Sequence, residues 1–333
     1  MPKSNTSELR QDLTSGDWVI FAASRGKKPN DFAKKTNIKR QPRASCVFEN
    51  PKKAGGGVLI SSYPDGERKW RVQVVPNKYP AVQVSSGKAT LKKDGFFNSI
   101  KGYGHHELVI TKHHHKNFPR LDINDAYLLF TVFKERYLNI AKDKNSRYIS
   151  IFHNWGPKAG ASIYHPHYQI ISTPVVPPIS AHSLDNAKIF HEKMGLCAHC
   201  TQIDEAKRSK NRVIHEDELS IAFAPYAVKE PFEFRVSPKG HTPFFEQSTE
   251  YEIHSVVQSL SMALNKLEKT LKGVNYNFYI HTAPVKDRKK YGYYHWHLQV
   301  VPRVNLSAGF ELTTGIEVNS VLPEIAVKEL NKN

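Results

Sequence analysis

Apolar residues along this chain recur with two periods, and the periods alternate in the same order twice. Short apolar runs bounded by polar residues read as strands. In the first part these are Trp70 to Val75, His106 to Ile110 and Arg147 to Phe152. In the second they are Ser220 to Ala224, Phe232 to Val236 and Tyr276 to Ile280. A helix is predicted from about Asn124 to Lys142, and a second from about Thr249 to Leu271. In the second helix Ile253, Val256, Val257, Leu260, Met262, Ala263, Leu264 and Leu267 fall mostly at three- and four-residue steps, so one face is apolar.

After its helix and one further strand, each part arrives at a His-x-His-x-Gln segment. The first is His165-Pro166-His167-Tyr168-Gln169 and the second His295-Trp296-His297-Leu298-Gln299. From His114 to His165 is 51 residues, and from His241 to His295 is 54. An ordered recurrence of several elements at matched spacing predicts a duplication. The proline-rich stretch Thr173 to Ser180 divides the copies. The expected fold is therefore α+β: halves spanning residues 1–175 and 181–333, two antiparallel sheets, each carrying one main helix.

With 333 residues there is room for two such halves. The hydrophobic share of 39% and charged share of 24% are those of a globular protein. No apolar run approaches the roughly 18–20 residues that cross a bilayer. The opening residues lack the apolar core of a signal peptide, so a cytoplasmic protein without a membrane partner is expected. Three cysteines make no disulfide scaffold, which leaves thiols or metal ligands. A net charge of +17 favours anionic partners such as nucleotides, sugar phosphates or nucleic acid. Nucleic acid is disfavoured, because aromatic residues are spread through strands rather than grouped as stacking platforms.

Cys197-x-x-Cys200 has the spacing of two thiolates on one tetrahedral ion, and His241 and His295 are the partners the repeat supplies. A redox pair or two buried thiols are the other readings, although a redox pair normally opens a helix in a βαβ unit. The first half carries Cys46-Val-Phe-Glu49 where a second such motif would stand. Glu can ligate zinc through oxygen, so Cys46, Glu49, His114 and His165 can form a matching site with one sulfur replaced. Three consecutive histidines leave His113 and His115 open as substitutes for His114.

The segment Ile163 to Ser172 reads as a strand, in which residues two apart share a face. His165, His167 and Gln169 then line up, so one imidazole can be fixed while its neighbour reacts. Pro166 supplies no backbone donor and suits an edge or a mouth. Asn154-x5-Gly160-x-Ser162-x2-His165-Pro-His167-x-Gln169 resembles the active-site signature of galactose-1-phosphate uridylyltransferases, the transferase branch of the histidine-triad superfamily. The similarity extends over almost the whole chain. It includes Leu9 to Ile20 with Arg25-Gly-Lys-Lys28-Pro, Val75-Pro-Asn77, and the tail from His295 through Gly309-Phe310-Glu-Leu-Thr313-Thr314-Gly315. The tail also resembles that of ADP-glucose phosphorylases, since Thr313 and Thr314 stand where a galactose-specific member carries Tyr and Glu.

The resemblance implies a duplicated histidine-triad-like fold and ping-pong transfer of UMP from UDP-glucose to galactose 1-phosphate. The alternative it implies is phosphorolysis of an ADP-sugar or dinucleoside polyphosphate. His167 would be the nucleophile, since neutral imidazole attacks phosphorus near pH 7 and a covalent intermediate divides the reaction into two steps. Gln169 and Ser162 would donate to phosphate oxygens, with Asn154 and Gly160 beside them. Arg25, Lys28 and Asn77 would hold the nucleotide. A homodimer is implied, in which the tail with Phe310, Thr313 and Thr314 completes the partner's pocket. Zn2+ is the implied metal, and His297 an interior or interface residue.

Overall fold

The computed structural model describes residues 6–22, 32, 38–64 and 69–333. Among these, ten strands join into one sheet whose neighbours are all antiparallel. From one edge the order is Val213–Glu216, Ser220–Phe223, Phe234–Pro238, His297–Pro302 and Tyr276–His281. It continues with Tyr148–Trp155, His167–Thr173, His106–Thr111, Val72–Pro76 and Ser61–Tyr63. The two expected sheets are thus the two halves of a single one. They meet where Tyr276–His281 pairs with Tyr148–Trp155, in a register that sets Asn277 opposite Asn154 and Phe278 opposite His153. A lone sheet edge exposes unpaired backbone groups, and this seam satisfies two edges at once.

The duplication is visible in the order. Outward from the seam, each half presents the strand that follows its main helix, then the strand of its His-x-His-x-Gln segment. The main helices are Ile123–Ala141 and Glu250–Leu271, within a residue of the expected bounds. Asp122 caps the first by accepting from the Asn124 N–H, and Thr249 with Glu252 forms a capping box on the second. Their apolar faces enter one core. Phe130, Phe133 and Tyr137 of the first pack in the same cluster as Val256, Leu260 and Leu264 of the second, with Tyr168, Ile170 and Phe278 from the sheet.

Three features depart from the sequence reading. The strand of the first histidine pair begins at His167, not Ile163, and its pairing with His106–Thr111 starts with Ile110 opposite His167. His165 therefore lies before the ladder, since Pro166 has no N–H to extend the pairing, while its ring and that of His167 both pack against Phe48. Helices Pro178–Met194 and Ala198–Ser209 follow, where only a proline-rich connection and a Cys pair were expected. Finally, the strands Glu8–Gln11 and Trp18–Phe21 form a small separate sheet with Glu317–Asn319. Val19 and Phe21 pack there against Ala227 and Val228, and buried Asp12 pairs with Arg235 at 2.7 Å, so the chain's start lies on the second half. Among the described residues no helix is long and apolar enough to cross a membrane.

Candidate active site

Strand alternation separates core from chemistry in His167–Thr173. Tyr168 and Ile170 are fully buried toward the helices, while His167 and Gln169 face the other way, into a cleft of about 790 Å³. Phe48, Asn77 and Ser162 also line it. The His167 Nδ1–H donates to the His165 carbonyl at 2.9 Å. That bond assigns the tautomer: Nδ1 carries the hydrogen and Nε2 keeps a lone pair. Burial pushes the His167 pKa below the usual imidazole range, opposed by the bond to His165, so the ring is neutral at pH 7. The Phe48 ring packs 4.9 Å from it.

From beneath, the His153 Nδ1–H donates to the His167 carbonyl at 2.8 Å, and its ring stacks on Tyr168 at 4.4 Å. Burial holds the His153 pKa down to about 3, so it stays neutral and fixes the backbone of residue 167 from the core side.

Two carboxamides flank His167 with their oxygens already engaged. The Asn277 amide donates to Asn154 Oδ1 and to the Ala159 carbonyl, each at 2.8 Å. This leaves the Asn154 nitrogen as its donor, on the side of Gly160. Gly160 has φ +85°, a left-handed conformation that glycine adopts without penalty and that ends the turn Pro157–Ala159. Gln169 Oε1 lies 2.9 Å from His106 Nε2. Exposed Ser162 adds a hydroxyl at the cleft wall. The result is a neutral nucleophilic nitrogen among neutral donors, an arrangement suited to a transferring phosphoryl group.

At one wall of this cleft Cys46, His114 and His165 bring their ligand atoms within 4.8 Å of one another, with the Glu49 carboxylate beside the two histidines. His114 Nδ1 is 2.8 Å from Glu49 Oε1, and His165 Nδ1 is 3.6 Å from the same oxygen and 3.7 Å from Cys46 Sγ. His114 Nε2 donates to the Gln41 carbonyl at 2.8 Å and His165 Nε2 to the Thr111 carbonyl at 2.6 Å. Both rings therefore turn bare Nδ1 lone pairs toward a carboxylate and a sulfur. At 2.8 Å the His114–Glu49 contact is also a hydrogen bond when Nδ1 carries a proton, and backbone carbonyls that orient histidines in this way are a usual feature of zinc sites. His113 instead bonds Asp125 at 2.9 Å, and His115 stacks edge-on against His114.

The second cluster has the same logic with two sulfurs. Cys197 caps the helix Ala198–Ser209 and Cys200 lies in its first turn. The sheet is antiparallel around it, so this is not the βαβ setting of a redox pair. His241 Nδ1 and His295 Nδ1 lie 3.2 and 3.3 Å from Cys200 Sγ, and the ligand atoms of all four residues fall within 4.8 Å of one another. The His241 Nε2 donates to the Gly292 carbonyl at 2.8 Å. Hydrogen bonding between the two thiols pushes Cys197 down and Cys200 up. The second set fits a tetrahedral zinc ion, and the first supplies three such ligands with Glu49 next to them.

The remaining expected residues divide. Arg25 and Lys28 lie outside the described residues. Phe310, Thr313 and Thr314 sit on the exposed helix Gly309–Thr314 and do not line the cleft of their own chain. His297 is buried against His199 and His281 at ring distances of 4.8 and 4.9 Å. Sequence reasoning missed His106, His153, Phe48 and Asn277. His106 and Asn277 lie in runs that read as strands and Phe48 lies inside Cys46-Val-Phe-Glu49, but no local spacing marks any of the four as part of the site.

Compared with known proteins, residues 2–177 match the family described as galactose-1-phosphate uridyl transferase, N-terminal domain. An ADP-glucose phosphorylase of Arabidopsis thaliana is 33% identical over 99% of this chain and 94% of its own. A galactose-1-phosphate uridylyltransferase of Thermotoga maritima is 23% identical over 98% of both chains. The crystal structure of an Arabidopsis thaliana ADP-glucose phosphorylase with bound ADP-glucose superposes with a TM-score of 0.82 at 31% identity, over 98% of this chain and 99% of that one.

Proposed function

The chain belongs to the galactose-1-phosphate uridyl transferase family, and we propose that it transfers a nucleotidyl group through a covalent bond to His167. In the first step His167 Nε2 attacks the α-phosphorus of a nucleoside diphosphate hexose. A P–N bond forms, the P–O bond to the hexose phosphate breaks, and hexose 1-phosphate departs. In the second step an oxygen of a phosphate-bearing acceptor attacks the same phosphorus and the P–N bond breaks. The observation that carries this reading is the His167 Nδ1–H bond to the His165 carbonyl, which makes Nε2 the nucleophilic nitrogen.

Charge on the transferring group meets donors from Gln169, Asn154 and Ser162, with Gly160 allowing close approach of backbone. Asn77 lines the same cleft, at the end we assign to the nucleoside. Cys46, Glu49, His114 and His165 would hold one zinc ion and Cys197, Cys200, His241 and His295 a second. The first ion would supply rigidity to His165, whose carbonyl orients the nucleophile. Arg25 and Lys28 would contact the nucleotide, and a second copy of the chain would bring Phe310, Thr313 and Thr314 to the sugar or acceptor end.

For the substrates, the first reading is transfer of UMP from UDP-glucose to galactose 1-phosphate. A second reading, phosphorolysis of ADP-glucose, is favoured by the full-length 33% identity to a relative of that name and by the threonines of the tail. Incubation with UDP-glucose and, separately, ADP-glucose, followed by intact-mass measurement, tests both. A gain of one UMP or one AMP on His167 supports the chemistry and identifies the base. No adduct with either would sink the covalent mechanism. Supplying labelled adducts with galactose 1-phosphate or inorganic phosphate then distinguishes the acceptors.

A further inference from the structure

We propose that His106 is a positioning residue that holds Gln169 with its carboxamide nitrogen turned toward the substrate phosphate. The inference rests on the phosphate-binding role given to Gln169 above. In the register of the two strands Leu108 stands opposite Gln169 and His106 opposite Ile171. His106 shares the face of Leu108, so it is the diagonal neighbour of Gln169.

The bond accepted by the His106 ring sets its tautomer. The Ala81 backbone N–H donates to His106 Nδ1 at 3.0 Å. A backbone amide can only donate, so Nδ1 is the acceptor and the neutral ring carries its hydrogen on Nε2. That nitrogen lies 2.9 Å from Gln169 Oε1 and donates to it. Asn77 Nδ2 also stands 3.0 Å from His106 Nε2, a meeting of two donors. Asn77 Oδ1 already accepts from the Tyr79 N–H at 2.9 Å, so the ring hydrogen is left to Gln169. Were the Gln169 amide flipped, its NH2 would face this N–H. The Gln169 nitrogen is accordingly kept away from His106, as a donor.

The same ring organises the nucleotide end of the cleft. The Asn77 N–H donates to the His106 carbonyl at 2.8 Å, and Ala81 is bound by the imidazole, so the loop between them is docked on His106. The second half shows what a glutamine held in this way does. Gln299 Oε1 is 3.1 Å from His281 Nε2, while its amide nitrogen donates to the Glu233 carboxylate at 2.5 Å. There the anion is a buried side chain, and in the first half the cleft leaves that place to a phosphate.

The test is the single-turnover rate of His167 adduct formation with UDP-glucose and with ADP-glucose. His106→Leu is expected to slow it about tenfold to a hundredfold, the worth of a charge-assisted hydrogen bond. The half-saturating concentration should rise less than the rate falls. His106→Gln, which can place an N–H near the old Nε2, should recover much of the rate. In a Gln169→Ala background, His106→Leu should add less than about twofold, because coupled residues are not additive. Equal losses in the two backgrounds, or no rescue by His106→Gln in folded protein, would overturn the positioning role. If the wild-type protein forms no adduct with either sugar nucleotide, the nucleotidyl-transfer reading fails and this inference with it. A normal wild-type adduct with an unaffected His106→Leu variant refutes this inference alone.

Discussion

Replacing Glu49 by alanine isolates the oxygen donor that distinguishes the first metal cluster from the second. In the structure Glu49 Oε1 stands 2.8 Å from His114 Nδ1 and 3.6 Å from His165 Nδ1, and both rings present lone pairs to it. Arg43 also reaches this carboxylate, at 3.3 Å, but its guanidinium is 60% exposed and such a pair contributes at most about 1 kcal/mol. The large term would be a shared cation. A variant left with Cys46, His114 and His165 keeps three ligands, and we expect its affinity for zinc to fall by at least the tenfold to hundredfold that even outer-sphere partners are typically worth. That range is about 1.4 to 2.7 kcal/mol. An ion present at a hundred times its dissociation constant stabilises the folded chain by about 2.7 kcal/mol, so roughly half of this stabilisation disappears at a tenfold loss of affinity and most of it at a hundredfold loss. Zinc per chain measured by mass spectrometry of the metal, during titration with a chelator of known affinity, gives the result directly. The wild type should hold two ions, and Glu49→Ala should release one of them first. Glu49→Cys should hold both, the first more tightly than wild type. Unchanged stoichiometry and chelator midpoint in Glu49→Ala would refute the reasoning, as would a wild-type chain that binds only one ion.

Three further outcomes are expected. His167→Ala should abolish the nucleotidyl adduct and lower turnover by at least about 10³-fold, with thermal unfolding close to wild type, because the ring lines a cleft rather than the main core; retained adduct would exclude His167 as nucleophile. Glu230 has its pKa pushed up to about 8, first by burial and then by the charge of Glu233. The folded chain thus holds a proton between pH 4.5 and about 8 that the unfolded chain has lost, so this group's contribution declines as pH rises through that window, by a few kcal/mol in all. Relative to wild type, Glu230→Gln should gain stability in urea at pH 9 and little at pH 4, and a difference independent of pH would contradict the assignment. Asp12→Ala strands Arg235, Thr14 and Gln202, which all bond its carboxylate, and should cost about 3 to 5 kcal/mol by denaturant unfolding; a loss below about 1 kcal/mol would show that the N-terminal strands are not held by this pair.

Local chemistry in the chain was legible where it is carried by neighbours a few residues apart. The helix over 123–141 and that over 250–271 follow from apolar spacing and from Asp122 and Thr249 at their starts. The paired Cys197 and Cys200, and the alternation that sends Tyr168 inward and His167 outward, are likewise short-range. Partners supplied from a distance were not legible. Asn277 reaches Asn154 only because the two half-sheets join at one register, and nothing in either half alone announces that seam. His106 reaches Gln169 through a diagonal across two strands some sixty positions apart in sequence.

By itself, then, the sequence determined the duplicated order of elements, the His-x-His-x-Gln segments and the Cys and His residues of two ligand clusters. The tertiary structure decided that the two sheets are one, that His165 leaves the ladder to face Cys46 and Glu49, and that the carbonyls of residues 165 and 167 fix the tautomer and backbone of His167. The physical reason is range. Helix periods, caps and strand alternation are set by torsions and contacts within a turn or two, whereas register and hydrogen-bond direction depend on which distant edges and side chains the packed core brings within about 3 Å.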